Sequence, residues 1–339
     1  MLTETRMLLS WLLIICAYPA VPALSRSSAG ASRQSVAELQ KRADRGDAEA
    51  QTSLGAKLME GDTTEDYSAA LRLFREAAKK NYAGALHNLG VMYEEGRGVN
   101  QDFTEAAKWY RKGADQGFAP AQLNLCILYR DGNGVPQSDA TAIEWYTRAA
   151  QQGLPAAETN LGGMLLQGRG TPANPAAALE WYKKAANQGD ADAAYSLGIL
   201  YGIGSSGGGH PVSKDLQKAA FWLEKAAAAN HPGAQFSLGT LYWDGKGVKR
   251  DYDRAVELFR WSAERGYIGG QYRLGTAYYQ GKGVKKDLVP AAVWLSVAAA
   301  QGEVNAQRLM EEIAPQLSKA QRSEVDQQIE QLVSGSHKR

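Results

Sequence analysis

The sequence predicts an all-α solenoid of about seven helix-turn-helix repeats closed by capping helices, and three observations carry that prediction. First, a leucine recurs at Leu54, Leu89, Leu125, Leu161, Leu197, Leu238 and Leu274, with successive spacings of 35, 36, 36, 36, 41 and 36 residues by subtraction. Second, a column mostly of tryptophan (Leu73, Trp109, Trp145, Trp181, Trp222, Leu258, Trp294) keeps the same period. Third, that column is framed by helix punctuation. Seven residues before it stand Asp66, Asp102, Ser138, Asn174, Asp215, Asp251 and Asp287, all preferred N-cap types. Eight residues after it stand only Gly or Asn: Asn81, Gly117, Gly153, Gly189, Asn230, Gly266 and Gly302. These are the residues that accept the left-handed backbone past a helix end. Units this short cannot bury an apolar face alone, so stability must come from stacking on neighbours.

The elements follow in order. Arg6, the apolar run Met7 to Ala17 and the small-residue step Val21-Pro22-Ala23 have the three parts of a secretory signal peptide, so residues 1–23 are read as a leader cleaved after Ala23. An uncleaved N-terminal membrane anchor is the alternative, although the run is shorter than the roughly 20 apolar residues that span a bilayer. Residues 24–34 read as a flexible linker. Ser35-Val36-Ala37-Glu38 is a capping box opening a capping helix over 35–46. The solenoid occupies 47–305. In its type unit, Ala121, Leu125, Cys126 and Tyr129 share one stripe of a first helix, which Gly132-Asn133-Gly134-Val135-Pro136 ends. The second helix runs from the cap column to the Gly/Asn column, its large rings set against alanine pairs such as Ala149-Ala150, so the Trp column reads as core. Capping helices over 306–333 and a disordered tail over 334–339 complete the chain.

The columns Ala-x-x-x-Leu-Gly-x-x-Tyr-x-x-Gly-x-Gly-Val, then Asp, then Ala-x-x-Trp-Tyr-x-x-Ala-Ala-x-x-Gly resemble the Sel-1-like repeat, a relative of the tetratricopeptide repeat, from about Ala48 to Gly302. The resemblance implies a right-handed superhelix whose first helices line a concave side. It also implies adaptor work: scaffolding membrane-associated complexes, binding host proteins after secretion, or regulating periplasmic signalling and polysaccharide export. Repeat one departs by Gly61-Asp62-Thr63-Thr64 in place of the Gly-x-Gly-Val turn, repeat four by Leu165 for Tyr, and repeat five by about five extra residues within Gly202 to His210, a possible hinge or docking loop. A cysteine-rich branch linked to penicillin binding has paired cysteines that this chain lacks.

For function, 339 residues with a net charge of +2, 44% hydrophobic and 22% charged residues give no support for nucleic-acid binding. Cysteine count is equally restrictive: after leader removal only Cys126 remains, in the Gly position of the repeat, where it reads as buried filler. Gly202-Ile203-Gly204-Ser205-Ser206-Gly207 matches a dinucleotide fingerprint but follows a repeat helix instead of a strand, so no cofactor is expected. His87, His210, His231 and His337 lack metal-ligand spacing, so no metal is expected either, and no catalytic set suggests itself. Two surfaces are candidates for partner binding. Asn88, Asn124, Asn160, Ser196, Ser237 and Arg273, one position before the leucine column, would contact a protein partner in the concave groove. Lys246, Lys249, Arg250, Lys282, Lys285 and Lys286, joined by Arg97 and Arg169, would form a basic rim suited to an anionic polymer such as an envelope glycan, to lipid headgroups or to an acidic protein. The expectation is an exported, periplasmic or secreted, monomeric and non-enzymatic scaffold. A glycan or lipid binder is the first alternative and a cell-wall hydrolase the second.

Overall fold

The computed structural model describes residues 36–205 and 211–336, which fall into two compact units divided between Ala157 and Glu158. The leader, the linker, Ser35, residues 206–210 of the insertion and residues 337–339 lie outside the described residues. Those that are described form an all-α solenoid.

The first unit contains the capping helix α1 (Val36–Asp44) and the helix pairs α2 (Ala48–Met59) and α3 (Thr64–Lys79), α4 (Ala83–Glu95) and α5 (Phe103–Asp115), and α6 (Ala119–Asp131) and α7 (Asp139–Gln151). Helix α8 (Pro155–Gln167) spans the division. The second unit continues with α9 (Pro175–Asn187), α10 (Ala191–Ile203), α11 (Leu216–Ala228), α12 (Pro232–Asp244), α13 (Tyr252–Glu264), α14 (Ile268–Gln280) and α15 (Leu288–Ala300). It closes with α16 (Val304–Ile313), a 3-10 turn (Ala314–Gln316) and α17 (Lys319–Ser336). The closing helices therefore begin at Val304 and run through Ser336.

Helix boundaries follow the capping columns. Asp102, Ser138, Asn174, Asp215, Asp251 and Asp287 each accept a backbone N–H at the start of a second helix. Repeat one differs from the expectation at Asp66. Helix α3 starts at Thr64, capped by Thr63, and Asp66 sits inside its first turn, accepting a 2.6 Å bond from the Thr63 hydroxyl. With no Gly-x-Gly-Val turn to consume residues, the helix begins early. The stop column behaves uniformly, with φ from 57° at Asn81 to 92° at Gly189 and Gly302. Within repeat five, Ser205 and Val212 close the inserted loop by a pair of 2.8 Å backbone bonds.

Core packing differs from the expectation at the Trp column. The deepest rings belong to the residue after it: Phe74, Tyr110, Tyr146 and Phe259 are essentially fully buried. Trp145 and Trp222 are buried, whereas Trp109, Trp181 and Trp294 are half-buried. The reason in four repeats is the glycine after the leucine (Gly55, Gly90, Gly162, Gly239), which lets the ring lie against the first-helix backbone. A Cβ on Gly90 would fall 2.4 Å from the Tyr110 ring, and one on Gly239 2.7 Å from Phe259. The Trp rings sit one step outward, where a cation three residues on covers four of the five: Lys112 over Trp109 at 4.3 Å, Arg148 over Trp145 at 4.4 Å, Lys184 over Trp181 at 3.9 Å and Lys225 over Trp222 at 4.6 Å. This is the i,i+3 spacing of helix surface neighbours.

Repeats are held in register by glutamines. Gln122 Nε2 donates to Ala114 O at 3.2 Å and Gln235 Nε2 to Ala227 O at 3.3 Å, each adding a bond to a carbonyl at the end of the preceding second helix that also accepts the backbone N–H three residues on, from Gly117 and Asn230 respectively. Gln152 and Gln301 then donate back to Gln122 and Gln271 at 2.8 Å.

Candidate interaction surface

The first helices are the natural place to look for a surface, because their neighbours in successive repeats touch. In the first unit α2 contacts α4, and in the second α10 contacts α12 and α12 contacts α14, whereas within each unit the second helices of successive Leu-column repeats do not pack comparably; among the described residues only at the closing end does a second helix, α15, pack on another, α17. The first helices therefore form the more closely packed side of successive repeats in each unit.

Two columns stitch this side together. At His87, Tyr195 and Phe236 the residue two places before the leucine reaches forward onto the next repeat, and at Asn124 and Ser237 the residue one place before reaches back. In the first unit, the neutral His87 ring donates from Nδ1 to Asn88 Oδ1 at 3.2 Å and accepts at Nε2 from Asn124 Nδ2 at 3.4 Å. Tyr110 and Phe118 enclose the ring at 5.7 Å. Burial pushes His87 down to about 4, because this enclosure penalises the imidazolium. Nearby, the Tyr110 hydroxyl donates to Glu94, whose carboxyl is held above its usual range mainly by burial.

The second unit repeats the arrangement with aromatic residues. Tyr195 stacks on His231 at 4.3 Å, and its hydroxyl engages Ser237 and Tyr267. His231 Nδ1 caps α12 by accepting the Ala234 N–H at 3.0 Å, and Nε2 lies 3.3 Å from Asp192. Phe236 packs on Tyr267 at 5.3 Å. Glycine at the second position of the following helix makes room, since a Cβ on Gly233 would meet Tyr195 and one on Gly269 would meet Phe236.

The groove candidates are thus distributed over two roles. Asn124 is buried and Ser237 half-buried, both bonded to the preceding repeat. Asn88, Asn160, Ser196 and Arg273 are half-buried. Asn88 and Asn124 come together on His87 and Asn160 lies in the other unit. What the sequence reading missed is the column one residue earlier, His87, Tyr195 and Phe236. The available signal was the pairing of those side chains with a glycine or small residue at the start of the next first helix. Between the two columns runs a slim strip of half-buried side chains, including Ile199, Thr240 and, more buried, Thr276.

The six basic-rim residues all fall on exposed turns of the second unit. The turn between α12 and α13 and the turn between α14 and α15 meet at Tyr252. Arg250 lies over its ring at 6.0 Å, Lys282 at 5.8 Å, and Trp243 meets it edge-on at 4.9 Å. Lys282 is also 5.8 Å from Trp243, Lys286 lies 5.5 Å from Tyr279, and Lys246 pairs with Asp244 at 2.9 Å. Arg97 belongs to the first unit, where it pairs with Glu95 at 3.0 Å, and Arg169 sits on the α8–α9 turn. Cys126 is fully buried with its Sγ 2.9 Å from Leu123 O, and burial raises the thiol well above its ordinary range. Among the described residues no group of three or more His, Cys, Asp or Glu side chains could hold a metal ion, and no helix is long and apolar enough to cross a membrane.

Comparison with known proteins follows the same repeat boundaries. The sequence model of the Sel1 repeat matches residues 48–82, 83–118, 119–154, 155–190, 191–231, 232–267 and 269–303. The crystal structure of a Sel1 repeat protein from Oxalobacter formigenes is 31% identical, with a TM-score of 0.64 over 73% of this chain and 96% of that one. The structure of c5321, described as a protective antigen of uropathogenic Escherichia coli strains displaying an SLR fold, is also 31% identical, with a TM-score of 0.52 over 88% of this chain and 71% of that one. No curated protein matches the chain.

Proposed function

This chain belongs to the Sel1 repeat family, whose repeats commonly build protein-interaction scaffolds and are generally non-catalytic, and on that premise we propose that it is an exported adaptor that seats a partner protein on its first helices. One observation supports the reading above others. Cross-repeat pairs such as His87 with Asn124 and Tyr195 with Ser237 fix successive first helices in register, so each unit offers a preformed, extended surface with little ordering left to do on binding. Repeat surfaces of this kind bind by distributed complementarity with a few anchors.

A photo-crosslinking residue placed at Thr240, on the strip between the two columns, should capture a discrete partner in the native compartment, whereas the same residue at exposed Glu224 on α11 should not. The captured protein, purified, should then bind the full chain. Equal capture at both positions, or failure of the purified pair to associate, would remove the reading. Export rests on the leader-like residues 1–23, and N-terminal sequencing of the purified native protein should start after Ala23. A chain still starting at Met1 and sedimenting with membranes would instead favour an anchor. Turnover of a cell-wall reporter substrate by pure protein would overturn the non-enzymatic assignment.

A further inference from the structure

We propose that the two basic turns of the second unit form a separate docking surface for an acidic polypeptide segment of the partner, an assignment that rests on the scaffold reading above. The turns belong to consecutive repeats, yet one cation from each converges on the same aromatic pair. Arg250 from one turn and Lys282 from the next both lie over Tyr252, and Trp243 abuts its edge. Cations resting on rings lose rotamer freedom before any partner arrives, so less ordering remains for binding. Beside them Lys249 and Lys285 project from exposed positions, and Lys286 is held near Tyr279. Lys246 also pairs with the Asp244 carboxylate at 2.9 Å.

The identity of the anion follows from what the turns lack. A membrane surface would call for apolar side chains at the tips, but Val248 and Val284, the apolar residues of these turns, pack inward against the core. An acidic glycan would call for a free aromatic face on which a sugar ring could stack. Tyr252 is attended by Arg250 and Lys282, and Trp243 is engaged by Tyr252, Phe259 and Lys282. Carboxylates on flexible side chains need no such face and can reach both cation ridges, which stand about one repeat apart, roughly 10 Å for packed helices.

Binding of labelled poly-L-glutamate to the full chain tests this, with polygalacturonate and phosphatidylglycerol vesicles as rival probes. Poly-L-glutamate should bind and weaken as salt is raised past the range where exposed charges are screened. The variant K246E/K249E/K282E/K285E should lose at least about tenfold in affinity, four modest exposed contacts together. A charge-matched variant of the first unit, K41E/K57E/K79E/K108E, should bind within about twofold of the unaltered protein. Should the reversed variant prove unstable by urea melting, K246Q/K249Q/K282Q/K285Q takes its place. Equal losses in both sets, tighter binding of polygalacturonate or of vesicles, or no binding of poly-L-glutamate at low salt would each overturn the proposal. Capture at Thr240 is independent of these charges, so a failed docking surface and a failed scaffold reading give different results.

Discussion

His87 shows how one side chain can set a pH dependence for a repeat protein. Its native pKa of about 4 lies below the ordinary 6.5, so between those values the unfolded chain binds the proton that the folded chain refuses. Stability therefore holds above pH 6.5 and falls as pH drops toward 4, by up to about 3 kcal/mol for a shift of this size. Urea melts between pH 7 and 5 should show that fall, and His87→Leu, which installs the residue type found at Leu123 one repeat on, should flatten it. At Gly90 the governing quantity is distance. Gly90→Ala places a methyl 2.4 Å from Tyr110 and should cost about 1 to 3 kcal/mol through overpacking. Gly117 is a contrasting case, since its added Cβ meets nothing within 4 Å and its φ of 83° is the only obstacle. Asn81 and Asn230 already occupy the same column at φ of 57° and 65°. Gly117→Asn should therefore be nearly neutral by chemical melts and Gly117→Val clearly destabilising.

At the scale of the element, capping decides where each second helix begins. Asp102, Asp215 and Asp251 each accept one N–H three residues on, at 2.9 to 3.0 Å. Substituting any one by Ala should cost about 1 kcal/mol. Asp66→Ala should cost less than Thr63→Ala, because the structure makes Thr63 the cap. Comparing the two by urea midpoint checks the assignment. Here the reading from sequence was right in six units and shifted in the seventh, since column counting assumes a turn of constant length and repeat one has a different turn. The Trp column misled for a related reason. Trp and the following residue are adjacent in sequence, so hydrophobicity alone does not rank them, and only the approach of the second helix to Gly90 or Gly239 shows that the second of the two goes deeper.

For the whole molecule, stacking predicts that the end of the array depends on its cap. Ala306, Ile313, Leu317 and Val325 are buried against α15. Ending the chain after Gly302 uncovers both sides of that contact and should remove on the order of 5 kcal/mol, taking about 1.5 to 3 for each large side chain discounted for residual structure in the unfolded chain. The truncated protein should melt earlier and bind a hydrophobic dye. A melt unchanged by the truncation would mean that α16 and α17 do not act as a cap.

By itself, the sequence determined the repeat length, the number of repeats, the second-helix caps of six units and the burial of Cys126. These depend on local chemistry, caps, left-handed stops and apolar period, which repeat along the chain and so can be counted. Tertiary structure alone decided which side chains meet across repeats. That Asn124 turns to His87, that Tyr195 lies over Gly233, and that Arg250 and Lys282 share Tyr252 all depend on how one helical hairpin settles on the next. The rise and rotation between neighbours come from summed packing of many side chains, and no spacing within a single repeat encodes them.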